Sequence, residues 1–204
     1  MLEVHDLAAR RGESRLFSGL SFQVQRGEAL VVTGANGTGK TTLLRMLAGF
    51  SAPADGTIAW NGQAMRPFDP ELRRTVAFAG HHPALKDELS AEENLAALVE
   101  LSDGPVTRDA IRAALDNVAL TRQRRLPARV LSQGQRRRIG LARLTLVRRV
   151  LWLLDEPVTA LDTAGTALLA RIVGDHVRAG GLAVAATHTP LDLPQASTRA
   201  LALA

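Results

Sequence analysis

Apolar positions along this chain follow two alternating rhythms. Short β-type runs recur at residues 2–4, 20–24, 29–33, 57–60, 76–79, 150–154 and 182–187, each bounded by polar or turn-forming residues. Helical spacing fills the stretches between them. Residues 41–47 follow a glycine-rich loop directly, and residues 166–178 place Leu169, Ile172, Val173 and Val177 on one face before stopping at Gly180 and Gly181, as a helix closed by a glycine cap does. The run at 150–154 is apolar throughout, which predicts a strand covered on both faces. This alternation predicts an α/β fold with a mainly parallel sheet core.

The middle of the chain reads differently. Residues 90–149 are mostly helical in pattern, with Ser90-Ala91-Glu92-Glu93 resembling a capping box and Thr107 a cap for a helix over 108–120. A helical subdomain of about residues 83–149 is therefore expected as an insertion in the α/β core, entered near 79–87 and left near Arg148. The whole chain, 1–204, is expected to be a single domain, since 204 residues suffice for one full core and a small subdomain.

Composition narrows the chemistry. Cysteine is absent, which removes disulfides, thiolate metal sites and thiol nucleophiles. No apolar run approaches the roughly 20 residues that cross a bilayer, and Glu3 and Asp6 sit where a secretory leader would be apolar; a cytoplasmic chain that does not span the membrane is expected. The net charge of +5 is almost all arginine, the only lysines being Lys40 and Lys86. Such a balance invites a nucleic-acid surface, but 3% aromatic residues without a tyrosine leave few rings for base stacking. The expectation is no nucleic-acid partner, and a basic face that is solvated or close to anionic headgroups.

The strongest chemical signal is Gly34-Ala35-Asn36-Gly37-Thr38-Gly39-Lys40-Thr41, a phosphate loop between an expected strand and an expected helix. Glycines let successive N–H groups converge on phosphate oxygens, and the helix N-terminus adds partial positive charge. Lys40 then serves the β- and γ-phosphates and the Thr41 hydroxyl is placed for Mg²⁺. Further along, Val150-Leu151-Trp152-Leu153-Leu154-Asp155-Glu156 is an apolar strand ending in two acids. Asp155 suits Mg²⁺ and Glu156 an attacking water, although the same pair, read alone, also serves as a strand-end partner for arginines. Leu131-Ser132-Gln133-Gly134-Gln135 puts a hydroxyl and free N–H groups at a helix start, either a second anion site or a plain cap.

Together these segments resemble the ATP-binding subunits of ABC transporters, and the resemblance runs from Leu2 to the C-terminus. It implies the P-loop ABC ATPase fold, with ATP and Mg²⁺ as cofactors. The phosphate loop extended to Thr42, with Ser132, Gly134 and Gln135 of the signature and Asp162, would bind nucleotide; Lys40, Glu156 and His188 would act in hydrolysis; and Thr41 and Asp155 would hold the metal. Thr159-Ala160-Leu161-Asp162 looks like the loop that crosses a dimer seam, so a second copy of the chain is implied, head to tail. Integral membrane subunits are the other partners implied, placing the chain peripherally on the cytoplasmic face of a bacterial inner membrane.

Two departures from the family pattern carry information. His81 stands where a metal- and water-contacting glutamine is usual, so either it acts through water or the Mg²⁺ shell is completed differently. Arg11 stands where an aromatic ring commonly stacks on adenine, and its guanidinium can stack instead. The stretch Gly80-His81-His82-Pro83-Ala84-Leu85-Lys86 and the chain's short length are similar to the ATP-binding subunits of heme exporters in cytochrome c maturation. That resemblance implies heme export or release of a heme chaperone; another exported cargo, or a soluble ATPase acting on nucleic acid, stand as the alternatives.

Overall fold

The computed structural model of the protein describes residues 1–188, 191, 193 and 197–203. Five strands form one sheet and four another. The first sheet takes β3 (Glu28–Thr33), β6 (Val76–Ala79), β7 (Leu151–Asp155), β8 (Leu182–Ala186) and β9 (Ser197–Ala202) in the order β6-β7-β8-β3-β9, every neighbouring pair being parallel. The second takes β1 (Leu2–Arg11), β2 (Ser14–Val24), β4 (Asp55–Trp60) and β5 (Gln63–Ala64) in the order β2-β1-β4-β5, and it is antiparallel.

Strict alternation in the central strands sets the layers. In β7, Leu151 and Leu153 point into one apolar cluster while Trp152 and Leu154 point into the other, and in β8 Leu182, Val184 and Ala186 oppose Ala183 and Ala185 in the same way. The first cluster is shared with the antiparallel sheet and with α1 (Lys40–Leu47), through Leu2, Val4, Leu43, Leu44 and Leu47. The second holds the remaining long helices: α3 (Ala91–Asp103), α4 (Arg108–Asn117), α5 (Gln133–Leu146) and α6 (Thr163–Arg178). Trp152 and His176 of α6 stack at 3.8 Å between ring centroids, and burial lowers the His176 pKa.

The parallel core stands as expected, but three of the expected strands lie outside it. Residues 2–4, 20–24 and 57–60 belong to β1, β2 and β4 of the antiparallel sheet. A two-residue connection, Gly12-Glu13, joins β1 to β2, and so short a link permits only an antiparallel pair. The expected helix over 108–120 ends three residues early, at Asn117. Sequence reading also passed over β5, β9 and the six-residue α2 (Pro70–Thr75), which is capped by Asp69.

The parallel order brings four strand ends together. The C-termini of β3, β6, β7 and β8 lead into residues 34–39, Gly80 and His81, Glu156, and Thr187 and His188. Carboxyl ends of parallel strands are where open α/β sheets bind ligands.

Candidate functional site

The loop from Gly34 to Gly39 connects β3 to α1. Gly34 sits at φ +149°, and a Cβ there would lie 2.5 Å from the Leu203 carbonyl oxygen and 2.9 Å from Thr38 Oγ1, so only glycine lets the loop leave the sheet. Gly39 caps α1 at φ +100° with no side-chain hydrogen bond. The first bond of the helix runs from Leu43 N–H to the Gly39 carbonyl at 2.8 Å, which leaves the N–H groups of Lys40, Thr41 and Thr42 ahead of it. Lys40 is buried and folds back along the loop, Nζ donating to the carbonyls of Gly34 (2.8 Å) and Ala35 (3.0 Å). Ala35, Asn36 and Gly37 are exposed on the rim, with Thr38 holding the turn through its hydroxyl bond to Ala35.

Facing the loop, the Thr41 hydroxyl lies 3.0 Å from each carboxylate oxygen of Asp155. Asp155 is 4% exposed. Burial pushes its pKa up and the Glu156 charge adds to the effect, while the Thr41 hydrogen bond and the charges of His81 and Arg137 oppose it. A carboxylate whose ionised form is penalised by burial, beside a hydroxyl oxygen, is a donor set that a hard divalent cation fits. Glu156 follows at φ +47°, a left-handed conformation pinned by its N–H donating to the Ala186 carbonyl at 2.8 Å. Its Oε2 is buried without a hydrogen bond, and His188 Nδ1 lies 2.9 Å away. His81 is exposed on the turn after β6, near enough for its charge to bear on Asp155.

A second cluster lies at the start of α5. Ser132 caps this helix, its Oγ accepting from Gln135 N–H (3.2 Å) while Gln135 Oε1 accepts from Ser132 N–H (3.0 Å). A Cβ at Gly134 would come within 2.8 Å of the Ala160 carbonyl oxygen, so glycine lets this helix start lie against the loop before α6. Asp162 caps α6 through Gly165 N–H (2.7 Å) and accepts from Arg138 Nη2 (2.9 Å); those two bonds, in that order, lower its pKa. Ser132, Gly134, Gln135, Arg138 and Asp162 line one open depression.

The sequence-predicted residues therefore divide between two places. Gly34 to Thr42, Asp155, Glu156, His188 and His81 gather at the strand ends, and Ser132, Gly134, Gln135 and Asp162 gather in the depression. Arg11 joins neither: it is exposed at the tip of the β1–β2 hairpin, while Leu16 and Phe17 of that hairpin pack against Gly39. Sequence reasoning missed Arg137, Arg138 and Asn94. Asn94, 2% exposed, accepts from Lys86 N–H and donates to the carbonyls of Lys86, Leu89 and Ser90. It thereby pins the loop that carries the His81 to Lys86 stretch. An unbroken Arg136-Arg137-Arg138 run entering an amphipathic helix was the available signal, because one helix cannot present three successive side chains to solvent equally.

Against known families, the model of the ABC transporter family matches residues 17–159. This chain belongs to the ABC transporter family. It is accordingly an ABC-type ATPase that binds ATP, the motor subunit of a transporter. Among curated ABC relatives, the cytochrome c biogenesis ATP-binding export protein CcmA of Pseudomonas aeruginosa is 48% identical, covering 97% of this chain and 98% of that one. Its namesake from Dechloromonas aromatica is 43% identical over the full length of both. Of solved ABC structures, an ATP-binding protein from Pyrococcus furiosus superposes with a TM-score of 0.85 at 25% identity, covering 98% of this chain and 96% of that one. A dimeric ATP-binding cassette in a post-hydrolysis state, bound to ADP and Pi, has the same fold at a TM-score of 0.83 and 23% identity, covering 100% of this chain and 94% of that one. Among the described residues, no helix is long and apolar enough to cross a membrane.

Proposed function

We propose that this ATPase powers heme export, or release of a loaded heme chaperone, in cytochrome c maturation. It would work as a head-to-tail dimer held by integral membrane subunits at the cytoplasmic face of the inner membrane. The observation that carries the reading is full-length similarity, at 43% and 48% identity, to relatives named for cytochrome c biogenesis export. The Gly80 to Lys86 stretch supports it.

The site residues take the following roles in this proposal. Lys40 and the N–H groups of residues 34–42 hold the β- and γ-phosphates. Thr41 and Asp155 hold Mg²⁺, with His81 contributing through water; when bound, the ion neutralises charge on the transferred phosphoryl group. Glu156 orients the attacking water and accepts its proton, with His188 Nδ1 2.9 Å from its Oε2. His188 contacts the γ-phosphate edge and steadies Glu156. The Ser132 hydroxyl and the N–H groups at the start of α5 face the γ-phosphate held by the other copy, which explains why one chain carries two anion-binding helix starts. Arg11 stacks on the base. Residues 83–149 act as the subdomain that moves against the core, and the exposed Lys86 meets the membrane subunits.

The cargo is tested in cells. Replacing the native gene with Glu156→Gln should reduce covalently heme-stained c-type cytochromes to background while b-type cytochromes persist. Unchanged c-type cytochromes beside an inactive ATPase would refute the heme reading.

A further inference from the structure

Arg137 lies in the fifth position of α5, two residues beyond the signature, and is 7% exposed. Among the described residues, both of its terminal nitrogens donate to backbone carbonyls. Nη1 donates to the carbonyls of Gly80 (2.9 Å) and His81 (2.6 Å), and Nη2 donates to those of Asp155 (2.8 Å) and Glu156. The first pair terminates β6 and the second terminates β7. Where a parallel strand ends, its last carbonyls lose their ladder partners, and buried carbonyls left unpaired are destabilising. One planar fork meets four of them at once, across sequence separations of 57 and 18 residues.

We propose that Arg137 is a positioning residue for hydrolysis. It fixes the left-handed Glu156 backbone and the Gly80–His81 turn to the signature helix, so that the water-orienting carboxylate and His81 keep one geometry when α5 is engaged. The proposal rests on the assignment of Glu156 as the group that orients water. Three observations support it. Glu156 is held in a sparsely populated backbone region that needs surrounding bonds to persist, and Arg137 supplies one of the bonds that fix it. Nη2 donates to the carbonyls of both Asp155 and Glu156, so one side chain sets the backbone placement of the two acids together. Among the described residues, its hydrogen bonds go to strand ends rather than to the phosphate loop, which separates its effect from phosphate binding.

Lysine keeps the charge but lacks the planar fork, and glutamine loses both charge and reach. In the full-length chain, turnover per nucleotide-binding site, titrated with trinitrophenyl-ATP, should fall roughly tenfold to hundredfold in Arg137→Gln, the scale set by about an ångström of misplacement at a reacting centre. Arg137→Lys should fall between that variant and wild type. The dissociation constant for trinitrophenyl-ATP should move less than about threefold in either. Adding Arg137→Gln to Glu156→Gln should cause no further loss, because both act through the same carboxylate. Wild-type turnover per site in Arg137→Lys, binding weakened by the same factor as turnover, or an additional loss in the double variant would overturn the proposal. Should Arg137→Gln fail to fold, Arg137→Lys decides alone. Normal turnover in Glu156→Gln would refute the Glu156 assignment instead, and an inactive Glu156→Gln beside fully active Arg137 variants would sink this proposal only.

Discussion

Two helices of this protein begin with the same device, and only one of them stands in the functional clusters. At α3, Ser90 and Glu93 form a capping box in which Glu93 Oε2 accepts from both the Ser90 N–H (2.8 Å) and the Ser90 hydroxyl (2.7 Å). At α5, Ser132 and Gln135 form the same box, but the Gln135 oxygen takes only the Ser132 N–H, and among the described residues the Ser132 hydroxyl hydrogen makes no bond. The first box is closed on itself and carries a negative charge. The second is neutral and keeps a donor in reserve. A single choice, glutamate or glutamine at the third helical position, thus separates a cap that repels anions from one that can receive a phosphate.

The largest test of this contrast converts one box into the other. Gln135→Glu should leave the helix as well capped as before, with a melting temperature within about 2 °C of wild type. It should reduce ATPase activity by about a hundredfold or more, because the carboxylate captures the Ser132 hydroxyl and opposes the γ-phosphate charge. Steady-state turnover and calorimetry on the same preparation check both halves. Removing the two serines is a milder test. Ser90→Ala and Ser132→Ala should each cost about 1 kcal/mol of stability in denaturant unfolding, while only Ser132→Ala lowers turnover.

The smallest effect is a pH dependence. The Ser90 hydroxyl and then its N–H hold the Glu93 carboxyl below the usual glutamate range. A depressed carboxyl stabilises the fold above its unfolded pKa, about 4.3, and that contribution is lost as pH falls through the folded value. Hydrogen exchange at the first turn of α3 should therefore quicken relative to the first turn of α5 when pH falls below about 4, after correction for intrinsic rates. Equal changes at the two turns would erase the distinction.

The same contrast shows where sequence reading succeeds. Ser90 to Glu93 and residues 34–41 are contiguous: the residue types that mark each lie within a few positions, so their spacing is visible in the chain. The central strands were legible because Leu151 to Leu154 are buried on both faces. By contrast β9 exposes nearly all its side chains at a sheet edge, and its place is set by backbone pairing to β3, which leaves no apolar pattern. α2, six residues long, is too short to show a helical period. The partners of Arg137 were illegible for a related reason. The arginine run signals that one of its side chains leaves solvent, but the four carbonyls it meets belong to strand ends that only the folded sheet brings together.

The division of the proposed nucleotide-binding residues into two clusters carries the account, since in the proposed dimer each cluster supplies half of a site. Its most direct test is the mass of the Glu156→Gln chain with ATP and Mg²⁺, measured by size-exclusion chromatography with light scattering. Blocked hydrolysis should trap two copies around two nucleotides, giving twice the 21.8 kDa of one chain, with return to the monomer when Ser132 is also replaced by glutamate. A Glu156→Gln chain that binds ATP stoichiometrically yet remains a monomer at concentrations above about 100 μM would contradict the account.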